Sequence, residues 1–166
     1  MIESTQAPQL RVASFEAAFN QVENSRWLLL GLIAAGTLSS VITPHAPLAV
    51  LAAIGGVVLM PRRAMEVTLL IWLIDQAAGL ALRGYPIEQL SMSWAAVMGA
   101  GALAVSLLFS HGPGFCRRSW GGHTLWSLLS LMGGFLLYQG TIALVYPVNV
   151  DCHSIGAEVI SGLLQQ

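Results

Sequence analysis

The sequence predicts an all-α, polytopic membrane helix bundle, and three observations carry that prediction. Of 166 residues, 55% are hydrophobic and only 9% are charged, against roughly 25% charged in soluble domains. Mean hydropathy is +0.71. The few charges are segregated, leaving uncharged apolar runs at 27–41, 48–60, 67–82, 94–109 and 125–148, as a cost of roughly 2.5–3.5 kcal/mol for a charge at mid-bilayer demands. The expected organisation is a cytoplasmic segment over 1–26 with an amphipathic surface helix, then one transmembrane domain over 27–166. Five or six transmembrane helices are expected, six favoured, one of them short.

The opening "MIESTQAPQ" is acidic and polar, where a signal peptide is basic and then apolar, so no cleaved leader is expected. Residues 13–27 put Phe15, Ala18, Phe19 and Val22 at i, i+3, i+4 and i+7, the stripe of an amphipathic helix on the membrane surface. The first apolar run holds Gly31, Ala35 and Ser39 at four-residue spacing. Such a small-residue face lets another helix approach closely, in the same chain or in another subunit.

The second run, Leu48–Met60, lies between Pro47 and Pro61 and falls below the roughly 17 residues of a usual span. If it crosses, Arg11, Arg26, Arg62, Arg63, Arg117 and Arg118 share one side and Arg83 stands on the other. If it turns back, the arginines split almost evenly, against the tendency of short cytoplasmic loops to hold the basic residues. Crossing is therefore expected, with the amino terminus in the cytoplasm. Sheltered among other helices, a proline-bounded short helix leaves its ends lining a cavity.

The third run carries Asp75 in "IWLIDQAAGLAL"; an acid inside an apolar span needs a partner or water and is a candidate functional group. Gln76, Tyr138, Gln139 and Thr141 are candidates for hydrogen bonds within the bundle, where interhelical adhesion contributes about 0.6 kcal/mol on average. The tail Ile155–Leu164 is apolar but brief, which leaves the helix count at five or six.

With this orientation the connections "PHAP", "RGYPIEQ" and "NVDCHS" lie outside. They hold His45, Arg83, Tyr85, Glu88, Asp151, Cys152 and His153, and loops are where a rigid scaffold displays recognition groups. Tyr85 also suits a headgroup-level anchor. His45, Cys152 and His153 offer nitrogen and sulfur ligands on one face. The adjacent Asp151-Cys152-His153 run lacks the spacing of a structural zinc site, and His111, Cys116 and His123 in the inner loop are irregularly spaced. No metal site is expected. Cys116 and Cys152 fall on opposite sides and do not pair.

There is no GxSxG elbow, no HExxH, and no lysine with which to build a phosphate loop. No catalytic residue is assigned, and neither an enzyme nor an ATPase is expected. A net charge of -1 gives no support for nucleic-acid binding.

The order of features resembles the substrate-binding S components of energy-coupling factor transporters. In small members a "P-x-x-A-L-A-L-F-G-G-A" run precedes a basic turn and an "S-D-x-x-L-G" helix. The matching residues are 47–57, the turn Pro61-Arg62-Arg63, and 74–80 around Asp75 and Gly79; Tyr146-Pro147 and Gly156-Ala157-Glu158 follow. The resemblance implies six helices in a bacterial cytoplasmic (inner) membrane. It implies uptake of a vitamin-like solute from outside, with His45, Asp75, Tyr85, Glu88, Cys152 and His153 as candidate binding residues. It further implies a transmembrane coupling subunit, facing Gly31, Ala35 and Ser39, and a separate ATPase module. No cofactor is implied beyond the carried solute. Solitary cobalamin S components look similar and use a cysteine on cobalt; Cys152 does not align with that ligand. Rival expectations are an accessory subunit of a membrane complex and a transition-metal permease using His45, Cys152 and His153.

Overall fold

The computed structural model describes residues 6–42 and 47–149, with side chains over 15–42, 47–116 and 118–146. Among them there are six α-helices and no strand: α1 (Gln6–Glu23), α2 (Arg26–Ile42), α3 (Leu48–Val58), α4 (Pro61–Arg83), α5 (Gln89–Ser110) and α6 (Trp120–Asn149), with a 3-10 turn at Gly114–Arg117. Helices α2, α4, α5 and α6 extend past their apolar runs, whereas α3 stops at Val58, two residues short of its own. Pro61 opens α4 at its first position, where its missing N–H costs nothing and its fixed φ suits the helix.

Helices α4, α5 and α6 are long and apolar enough to cross a bilayer. A fourth crossing exists if Phe15–Glu23 and α2, bent by 54°, count together. The surface agrees with this apolar character: Leu38, Leu82, Leu108, Leu136 and Leu144 all stand exposed.

Helix α3 is the structural centre. Seven of its 11 residues are buried, against α4, α5 and α6. Leu48 to Val50 share a cleft with Met98 and Ile142, while Gly56 lies against Ser106 and Ser110 and Val57 shares a cleft with Ser127. So α3 runs parallel to α5 and antiparallel to α6. The hydrogen bond from Trp72 Nε1 to the Ala95 carbonyl, 3.0 Å, and the packing of Leu80 beside Ser91 make α4 antiparallel to α5. Gly36 of α2 sits against Ile71, and further along both helices the Ser40 carbonyl accepts from Arg83, which makes α2 parallel to α4.

The length of α3 now takes on meaning. At 1.5 Å per residue it is about 16 Å long, roughly half the hydrocarbon thickness. Its carboxyl end reaches the last turn of α5, but its amino end stops level with Met98, the middle of α5. A buried half-length helix thus starts inside the bundle.

One end of the bundle carries Arg26, Arg62, Arg63 and Arg118, and the other carries Arg83. Helix α1 docks at the first end, with Phe15 edge-on to Trp120 at 5.1 Å and Phe19 edge-on to His123 at 5.2 Å. Its inward face is Phe15, Phe19 and the buried Glu23, whereas Ala18 and Val22 are exposed; the apolar stripe read from the sequence is rotated by the aromatic contacts. Ser25 caps α2, its hydroxyl accepting from the Leu28 N–H at 3.4 Å, as serine does at helix starts.

Helix α4 ends at Gly84, the one described residue with a left-handed φ, +65°, and the Tyr85 N–H donates to the Gly79 carbonyl at 3.1 Å. This closing bond satisfies a carbonyl that the helix leaves free. Gly84→Ala is expected to cost about 1–2 kcal/mol, the penalty for an L-residue in that region, read as a lowered denaturation midpoint.

Candidate functional site

Asp75 is 7% exposed and lies on the inward face of α4. Its partner comes from the same helix: Arg83 Nη1 lies 3.8 Å from Asp75 Oδ1. The two are eight residues apart, about 12 Å along the axis, so the arginine must reach back down the helix to meet the acid. Its other amine, Nη2, donates to the Ser40 carbonyl of α2. Gln76 Nε2 donates to Asp75 Oδ2 at 3.4 Å, and Oδ1 accepts no hydrogen bond among the described residues. Arg83 therefore ties the acid of α4 to the backbone of α2.

Tyr85 packs on this arrangement from the loop. Its ring lies against Gly79, and the Arg83 guanidinium sits 6.0 Å from the ring centroid, the outer limit for a cation–π contact. Glu88 is exposed at the start of α5, and its carbonyl accepts from the Met92 N–H. Of the candidate binding residues, Asp75 and Tyr85 are thus brought together and Glu88 is apart; His45, Cys152 and His153 lie outside the described residues.

A cavity of about 400 Å³ opens at the amino end of α3, lined by Pro47, Leu48, Met98, Phe135, Tyr138 and Gln139 among others. Its walls are apolar apart from the Tyr138 phenol and the Gln139 amide. Pro47, which precedes α3, supplies no side-chain cap, so the helix presents its first backbone N–H groups towards this end.

The segment joining α5 to α6 is engaged locally. The Cys116 thiol lies 2.8 Å from the Pro113 carbonyl, the His111 ring contacts the Leu107 carbonyl at 2.9 Å, and His123 packs on Phe15 and Phe19. No group of three potential metal ligands occurs among the described residues.

On α2, Gly31 has open space around it and Ala35 is exposed, while Leu32, Gly36 and Ser40 turn inwards. Two small-residue faces therefore lie side by side: one packs on α4, and the predicted one, with Ser39 half-buried, looks out.

Sequence reading missed the role of Arg83, which it assigned to a loop; the cavity at Pro47 lies at an end of the short helix, where a cavity was expected. The i, i+8 spacing of Asp75 and Arg83 was a usable signal, because a long arginine at a helix end reaches back along its own face.

These features define a helical bundle with apolar helices of membrane-crossing length, one buried half-length helix and one internal ion pair. No family model matches the chain, and neither a curated protein nor a solved structure matches it.

Proposed function

We propose that this chain is the solute-binding subunit of a membrane transporter, holding a small vitamin-like molecule in the cavity at the amino end of α3. The observation that carries the reading is that a buried helix starts at mid-depth beside a cavity of about 400 Å³. Broken helices at membrane depth are tolerated where they line a cavity, and transporters build midplane sites from them. The volume falls in the lower part of the range usual for small-molecule sites and favours a solute smaller than cobalamin. The order of features shared with energy-coupling factor S components supports the same reading. Energy comes from a separate ATPase module through a transmembrane coupling subunit.

The arginine distribution supports a cytoplasmic amino terminus in a bacterial inner membrane, because the end with Arg26, Arg62, Arg63 and Arg118 is the more basic one. A span count of five or six belongs to the same proposal, with α3 returning the chain between α2 and α4.

A second reading, an accessory subunit of a membrane complex, is favoured by the outward Gly31 and Ala35. Thermal unfolding of the purified protein against a panel of water-soluble and fat-soluble vitamins separates the two. A ligand at about 100 times its dissociation constant should stabilise by about 2.7 kcal/mol, and Ala49→Leu, which fills the cavity, should abolish the shift. No shift with any member, together with co-purification at fixed stoichiometry that Gly31→Leu disrupts, identifies an accessory subunit instead.

A further inference from the structure

The cavity at the amino end of α3 is open on its flank. Phe135 is 51% exposed and Val50 38% exposed, and Gln139, four residues after Phe135 on α6, is exposed and lines the same cavity. Gln139 lies ten residues before the end of α6 at Asn149, about 15 Å along the axis, so the opening faces the depth of the hydrocarbon and not the headgroups. A carboxamide at that depth is costly unless it is hydrogen-bonded. Among the described residues no formal charge lines the cavity, and the buried Asp75 is paired with Arg83.

Building on the solute-binding reading, we infer that the ligand is a neutral lipophile with one hydrogen-bonding head, entering sideways from the bilayer between α3 and α6. The apolar body lies on Phe135, Met98 and Val50, and the head, a hydroxyl or carbonyl, meets the Gln139 amide and the Tyr138 phenol. An anion gains something from the partial positive charge at the start of α3, but the cost of stripping water from a full charge at this depth outweighs it. A cation gains nothing there, so neutrality is the best match.

The test uses three photoreactive probes in vesicles holding the full chain: hexadecanol, hexadecanesulfonate and hexadecyltrimethylammonium, each with a mid-chain diazirine. Mass spectrometry should find the alcohol concentrated on residues 135–142 and displaced by unlabelled hexadecanol. Both charged probes should label these residues at least about tenfold less. Gln139→Leu removes one hydrogen bond from an exposed position and should weaken alcohol labelling about tenfold. Equal labelling by a charged probe, or alcohol spread evenly along α6 and indifferent to Gln139→Leu, overturns the inference. If water-soluble solutes stabilise the protein while the alcohol does not label the groove, the solute site stands and the membrane route falls. If neither binds, both readings fall.

Discussion

Arg83→Ala is expected to lower the stability of the fold by about 3–5 kcal/mol, the cost of leaving a buried charge without its partner. Asp75 is the member that cannot escape. It lies about 12 Å from the end of α4, its side chain is 9% exposed, and no rotamer carries it to the bundle end. Asp75→Ala should cost less, because Arg83 sits on the last turn and its long stem can carry the guanidinium outwards. What it then gives up is the ion pair, although the bond to the Ser40 carbonyl holds α2 to α4 only while Arg83 points inwards. The neutral pair Asp75→Asn with Arg83→Gln should recover most of the loss, since it removes both charges together. Denaturation midpoints in mild detergent measure all three. Equal losses for the two single variants would mean that Arg83 is as confined as Asp75.

The second large effect is expected at Gly56. A Cβ built there falls 2.7 Å from the Ser106 carbonyl oxygen and 3.3 Å from the Ser110 nitrogen. Both are backbone atoms of α5 and cannot rotate away. Gly56→Ala should therefore force α3 and α5 apart at a cost of about 1–3 kcal/mol, the range for an overpacked core, and Gly56→Val should cost more. Gly36 is a useful contrast: the three atoms nearest its Cβ, at 2.7–2.9 Å, are side-chain carbons of Ile71 and not helix backbone, so Gly36→Ala should be milder. Gly31 has nothing within 4 Å, and Gly31→Ala should be neutral or stabilise the monomer by up to about 1 kcal/mol, the helix-propensity difference. A stability order of Gly31→Ala above Gly36→Ala above Gly56→Ala, read by thermal unfolding, tests the packing of α3 directly.

Much of the architecture was legible in the residues themselves. Uncharged apolar runs marked the helices because charge is costly in hydrocarbon, and the prolines at 47 and 61 bounded α3 because neither continues the helix before it. The length of α3 allowed local bilayer thinning, snorkelling of Arg62 and Arg63, or shelter among other helices, and its burial selects shelter. Which neighbours shelter it was not legible, because antiparallel packing on α6 and parallel packing on α5 depend on side-chain fit between segments distant in sequence. The same limit applies to the sites. Asp75 stood out as an acid in an apolar run, but its partner was hidden, since Arg83 reads as the first residue of a loop and reaches inwards only once α4 is formed. Gln139 read as ordinary adhesion between helices; its exposure on the open side of α6 becomes visible only when α3 is seen to stop short. On α2, periodicity of four was correct, but two such faces exist one residue apart, and periodicity alone does not choose which of them meets Ile71.

The central claim is that α3 returns the chain through the bundle, so that α2 and α4 run in the same direction on either side of it. Single cysteines at positions 26, 45 and 62, in a variant without native cysteines, should be labelled by a membrane-impermeant maleimide in oriented vesicles. Positions 26 and 62 should react from one face and position 45 from the other. Labelling of 45 and 62 from the same face would contradict the return of α3, and with it the cavity at its amino end.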